Sequence, residues 1–284
     1  MAAASEISKN ACHARSNSLP LRSHPWSVSV EEQLARLRTS SEATTSSSSS
    51  SLCRRFGALK HLHESIDDLL QLQQTQQSLS KEHNRKSVEQ VLDGSLRLVD
   101  VCGTARYVFS QMKQCLQELQ SSLRRKRSTE AGLENEISAY MISKKTLVKM
   151  VSKCLKNLKN TKKNREDKDS ELVPVVNILN EVEEITCSVF ESLLSFIAQP
   201  KASNGWSKLL KLRQVSCEGE TNANEVEKMD LQLLALKSGK NEVQKTLKGL
   251  ETLESNIQEL EEELEYVFRR LMKTRVSLLN IFSH

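Results

Sequence analysis

The residues best suited to chemistry lie near the start of the 284-residue chain. In Arg15-Ser16-Asn17-Ser18-Leu19-Pro20 an arginine stands three residues before Ser18 and a proline two after it. A basophilic kinase reads arginine at that spacing, and a phosphate on Ser18 would add charge and three strong acceptor oxygens. A peptide held extended ahead of its proline suits an Arg-lined phosphopeptide groove of the 14-3-3 type. Arg15, Ser16, Ser18 and Pro20 are the expected phosphosite and docking residues. The basic patch Arg124-Arg125-Lys126-Arg127 reads first as positive charge at the negative end of a helix, and second as a nuclear-import or phosphate-binding cluster. Lys144, Lys145, Lys149, Lys153, Lys156 and Lys159 follow on one helical pattern. Their wide arc suits a solvated or internally paired face, with anionic lipid heads as the alternative target.

Other reactive side chains are not arranged for work. His61 and His63 are two residues apart, so on a helix they face different ways and make no metal pair. The seven cysteines are odd in number, widely spaced and without C-x-x-C, which reads as reduced, intracellular thiols. No G-x-x-x-x-G-K-[ST], G-x-S-x-G or H-E-x-x-H pattern occurs, so no catalytic, cofactor or metal site is expected and no enzyme. Neither zinc spacing nor aromatic interleaving accompanies the basic residues, and nucleic acid is not an expected partner. The start of the chain is polar, with Glu6 and Lys9, so no secretory leader is expected. The most apolar run, Ile185 to Ala198, includes Glu191 and is short of the roughly 20 residues a membrane span needs. A cytoplasmic protein is expected, with a membrane-peripheral or nuclear pool as alternatives.

The elements that carry these residues are helical. Aromatics make up 4% of the chain, with 8 Gly and 4 Pro, too little punctuation for a sheet protein. Residues 1–51 read as a disordered Ser-rich tail with a short helix near 28–38, and Thr39 to Ser51, with eight serines and three threonines, reads as a tether. Residues 52–284 read as a helical bundle. Apolar stripes mark helices near 52–74, 80–127, 130–159 and 170–198, the last with the widest apolar face and so the most buried. Gly94 and Gly103 fall inside the second of these and predict a bend or a close crossing at one of them. Pro200 stops the fourth helix, and residues 225–282 read as one long C-terminal helix of roughly 85 Å.

That last helix organises the chain. Val243, Leu250, Ile257, Leu264, Leu271 and Leu278 recur every seven residues, accompanied by Thr246, Leu253, Leu260, Val267, Thr274 and Ile281. This is an a/d seam, the pattern by which a helix packs lengthwise on others. Residues 124–165 carry 13 Lys/Arg against 3 Glu, and residues 218–265 carry 13 Asp/Glu against 5 Lys. Opposite charge on neighbouring segments favours pairing inside one bundle. The expected fold is all-α, an elongated up-and-down bundle of long antiparallel helices, with the seam as an intramolecular spine and a homo-oligomeric coiled coil as the alternative.

Several stretches together resemble a known family. They are Arg15 to Pro20, Val30-Glu-Glu-Gln-Leu-Ala-Arg-Leu-Arg38, Leu92-Asp-Gly-Ser-Leu-Arg-Leu-Val-Asp100, Val189-Phe-Glu-Ser-Leu-Leu-Ser-Phe196, and Leu264 to Asn280 with Glu-Tyr-Val-Phe-Arg-Arg near its start. In this order, from about residue 15 to the end, they are similar to the plant BYPASS-like family, a plant-specific group of helical proteins. The resemblance implies a role in root and shoot development. It carries no enzymatic activity, cofactor or catalytic residue onto this chain. The function it points to is a non-enzymatic helical scaffold or adaptor acting through protein partners, with a peripheral membrane or trafficking factor as the alternative.

Overall fold

The computed structural model describes residues 25–43, 48–125, 130–163, 174–198, 223–238 and 243–283, with the backbone alone at 40–43, 130–131 and 161–163. The described chain is helical: α1 (Pro25–Ala43), α2 (Ser49–Gln71), α3 (Gln73–Leu79), a 3-10 turn (Glu82–Asn84), α4 (Arg85–Arg125), α5 (Glu130–Lys163), α6 (Pro174–Ala198), α7 (Glu225–Lys237) and α8 (Val243–Ser283). No strand occurs among the described residues.

The spine is the pair α4 and α8, each 41 residues and so about 60 Å long. They run antiparallel along their whole length. Arg275 meets Leu92 and Ser95 at one end, the Cys102 thiol reaches the Leu264 carbonyl, and Arg124 meets Glu251 at the other end. The α8 seam faces inward: of its twelve a and d positions all but Val243 are buried. At the end holding the α4 N-terminus, α2 and α6 close a four-helix core, with α1 packed on both. At the other end α5 and α7 complete the bundle. Leu52, Phe56, Leu59, Leu62, Ile66, Leu69 and Leu70 of α2 are buried, as are Phe190, Leu193, Leu194 and Ile197 of α6. The Phe56 and Phe190 rings meet edge to face at 5.7 Å. Asn177 and Glu184 are the only exposed residues of α6, as its wide apolar face requires. The architecture is the expected all-α, elongated bundle.

The C-terminal segment departs from the single helix read over 225–282. α7 ends at Lys237; Ser238 leaves helical geometry and its amide turns back to the Leu234 and Ala235 carbonyls. The reason lies in the seam. A straight continuation of α8 toward the N-terminus would put Gln232 and Gly239 in the d column, where neither supplies an apolar side chain. The chain instead folds α7 back along α8, with Gln232 and Met229 beside Gly249, and so buries Val226, Met229, Leu233 and Leu236.

The Ser-rich stretch also reads differently in three dimensions. α1 spans Pro25–Ala43 and buries Val30, Leu34 and Leu37 in the common core. Ser48 caps α2 by accepting a hydrogen bond from the Ser51 amide, a role serine fills well. The amide and hydroxyl of Ser49 both donate to the Glu225 carboxylate, which sits favourably at the positive end of α2. The last serines of the run therefore begin a core helix; residues 44–47 lie outside the described structure. Of the two glycines in α4, Gly94 is the close crossing: a Cβ there would lie 1.8 Å from the Glu183 carboxylate of α6, whereas Gly103 has open space.

Candidate functional site

Three groupings of side chains stand apart from the apolar core. The first is a polar network where α2 meets α8. Asp67 is 2% exposed. It accepts a hydrogen bond from the Thr274 hydroxyl at 2.9 Å and pairs with Arg270 at 3.4 Å and Lys273 at 3.2 Å. Arg270 also reaches Glu64 at 2.9 Å, and Tyr266 donates to the same carboxylate oxygen at 3.0 Å. Burial opposes ionisation of Glu64, but hydrogen bonds from Tyr266 and His61 and the Arg270 charge outweigh it and hold the carboxyl below its usual range. Lys60 lies 4.0 Å over the Tyr266 ring, a cation–π contact. A carboxylate this buried is stable only while paired. Asp67→Asn keeps the Thr274 hydrogen bond and the shape but drops both ion pairs. We expect it to lower unfolding stability by about 1–2 kcal/mol, read from the urea midpoint.

The second grouping is a polar seam between α2 and α6. Arg55 donates to Ser192 at 2.7 Å, and His63 Nε2 lies 3.2 Å from the Thr186 hydroxyl. Burial pulls the Arg55 guanidinium below its ordinary pKa and takes His63 down to about 4. His61, two residues earlier, instead faces solvent and meets Glu64 at 3.0 Å. Burial works against the thiolate form of four cysteines. Burial pushes Cys53 up to about 11 and Cys102 up to about 12, and raises Cys115 and Cys154 as well. No cluster of three metal-ligating side chains occurs among the described residues.

The third is the outer groove between α4 and α8. It encloses about 690 Å³ and is lined by Gly103, Arg106, Tyr107 and Lys113 from α4 and by Glu261, Glu265 and Arg269 from α8. Arg106 pairs with Glu265 and stacks over Phe268 at 4.4 Å; Lys113 pairs with Glu261. Exposed apolar side chains also occur along the same two helices. Leu96 and Tyr107 on α4 and Met272, Val276 and Leu279 on α8 are all at least 40% exposed, five of the eight large apolar side chains so exposed among the described residues. Met272, Val276 and Leu279 follow i, i+4, i+7 spacing and share one face. Arg275, bonded across to Leu92 and Ser95, sets that face alongside Leu96.

The residues singled out from sequence divide as follows. Arg15, Ser16, Ser18 and Pro20 lie outside the described residues, as do Lys126 and Arg127. Arg124 pairs with Glu251 on α8 at 2.8 Å and Arg125 donates to Ser122 at 3.4 Å, so this part of the basic patch is engaged within the bundle. Lys144 is buried and paired with Asp230 of α7, whereas Lys145, Lys149, Lys153, Lys156 and Lys159 are exposed. The seam residues Leu250, Ile257, Leu264, Leu271 and Leu278 are core; Val243 is half-buried. Sequence reasoning missed Arg55, Asp67 and Glu183, and weighed His63 only as a metal ligand. Each is a polar side chain beside or within an apolar stripe, and that placement is the signal that could have found them.

No helix among the described residues is long and apolar enough to cross a membrane. No curated protein and no solved structure matches the chain. A family model described as Protein BPS1 matches residues 55–281.

Proposed function

The chain belongs to the BYPASS-like family described as Protein BPS1, and from that membership we propose a non-enzymatic helical scaffold that serves plant root and shoot development through protein–protein contacts. The α4–α8 groove is the observation that supports this most directly. Its partner is the apolar face of an amphipathic helix, which docks by i, i+4, i+7 anchors against Met272, Val276, Leu279 and Leu96. Arg106, Lys113, Glu261, Glu265 and Arg269, which line the groove itself, fix the direction of the docked helix through charge, as polar rims do. The Arg15–Pro20 segment supplies a second handle: with Ser18 phosphorylated it binds a 14-3-3 protein. Two handles on one chain raise the effective concentration of one partner at the other.

Proximity labelling in plant cells tests the groove. Met272→Glu with Val276→Glu changes two exposed side chains and should leave stability within about 1 kcal/mol. We expect this variant to melt like the wild type yet lose a defined set of labelled proteins. An unchanged labelling pattern removes the groove as the docking face. For the tail, a phosphorylated 12–24 peptide should bind a 14-3-3 protein and the unphosphorylated peptide should not; equally poor binding by both removes that handle.

A further inference from the structure

We infer that the outer face of α5 is a landing surface for an anionic lipid bilayer. From Ile137 to its end at Lys163 the helix contains no acidic residue. The fold removes Lys144 from solvent by pairing it with Asp230 and leaves Lys145, Lys149, Lys153, Lys156 and Lys159 exposed. None of these five has an ion pair or hydrogen bond among the described residues, whereas most basic side chains of α4 do, among them Arg97 with Glu183, Arg106 with Glu265, Lys113 with Glu261 and Arg124 with Glu251. At 100° per residue the five ammonium groups fall within an arc of about 120°, and their stripe is about 21 Å long. Ile142 lies inside the same arc. It is 68% exposed, more than any other large apolar side chain described.

A band of cations around one projecting aliphatic side chain fits a charged plane with an apolar layer just beneath it. The cations are all lysine: compact point charges on flexible stems, without the fork by which arginine reads carboxylate or phosphate geometry. No exposed aromatic accompanies them on α5, so the face lacks the stacking platform typical of single-stranded nucleic-acid sites. A fluid leaflet needs neither, because its anionic heads move to the charge, while Ile142 enters between them. Each lysine near such a surface strengthens binding about fivefold. This surface lies apart from the α4–α8 groove and would place a docked partner at a membrane.

The test is flotation of the full chain with vesicles of phosphatidylcholine alone or with about one-third phosphatidylserine, at about 0.15 M salt. We expect binding to the serine-lipid vesicles only, weakening as salt rises. The variant carrying K145Q, K149Q, K153Q, K156Q and K159Q should lose at least about a hundredfold in partitioning while melting like the wild type. Ile142→Asp should lose less. The groove variant Met272→Glu with Val276→Glu should float normally, which separates this inference from the scaffold reading. Absence of wild-type binding, undiminished binding of the five-lysine variant, or binding to duplex DNA or polyglutamate tighter than to vesicles overturns it.

Discussion

Replacing Ile257 and Leu264 together by aspartate abolishes the cooperative melt of the protein and most of its helical circular dichroism. Both side chains are 0% exposed and lie one heptad apart on the α8 seam. Truncating such a residue to alanine removes about 2–5 kcal/mol. Aspartate adds the desolvation of a carboxylate with no cation beside it, worth several kcal/mol more. Two such changes match or exceed the roughly 5–15 kcal/mol by which a domain is stable. They also strike where the loss cannot be contained. α8 packs along α4 throughout, on α2 toward one end of the bundle and on α7 toward the other, and the Leu264 carbonyl is where the Cys102 thiol of α4 sits. Retained helical signal with a cooperative thermal transition would show that these positions are not what holds the bundle together.

That seam was legible because it repeats. Leu250 to Leu278 at seven-residue spacing needs no three-dimensional information to be read as a buried stripe, and the stripes of α2, α4 and α6 are similarly regular. What the repeat does not encode is where a helix folds back. Gln232 and Gly239 are unremarkable one at a time; only their shared column, once α8 is placed against α4, makes a straight continuation unfavourable. The charge asymmetry between residues 124–165 and 218–265 was visible, and Lys144–Asp230 and Arg124–Glu251 pair across it. Which lysines pair depends on the rotation of α5 about its own axis, which the sequence leaves open because its lysines span a wide arc. The serine run misled for a local reason. Low complexity hides single serines with fixed tasks, such as the cap at Ser48 and the Ser49 contact to Glu225.

Gly94 shows how a weak expectation becomes specific. A glycine within a 41-residue helix predicts some close approach but not its partner. The partner is Glu183, 6% exposed, whose carboxylate occupies the space a Cβ would take and reaches Arg97 at 3.1 Å. The polar core residues share this character: each is a single departure from an apolar pattern, and its meaning depends on the helix opposite. Asp67 is stable because α8 brings Arg270 and Lys273; Arg55 is stable because α6 brings Ser192.

His63 is the member of this set with the sharpest consequence, because it titrates. It is 2% exposed on α2. The Thr186 hydroxyl donates to the Val182 carbonyl at 2.6 Å, so at His63 it can only accept. Nε2 therefore carries the proton, and buried Nδ1 has no hydrogen-bond partner. Protonating the ring would place a second N–H and a charge in that site; Asp67 nearby favours the charge, but burial dominates and holds the pKa at about 4 against an ordinary 6.5. Because the folded value is the lower one, the neutral ring's contribution is fully present above about pH 6.5 and is lost as pH falls toward about 4. At 1.36 kcal/mol per unit the full loss is about 3 kcal/mol, a large share of domain stability. Urea unfolding at about pH 7.5 and about pH 4.5 should show this loss in the wild type. His63→Gln, which can still donate to Thr186, should be less stable at the upper pH but lose markedly less between the two. If both proteins lose equally, the acid sensitivity belongs to other groups, Glu64 with its lowered pKa among them, and the buried imidazole is neutral only as a bystander.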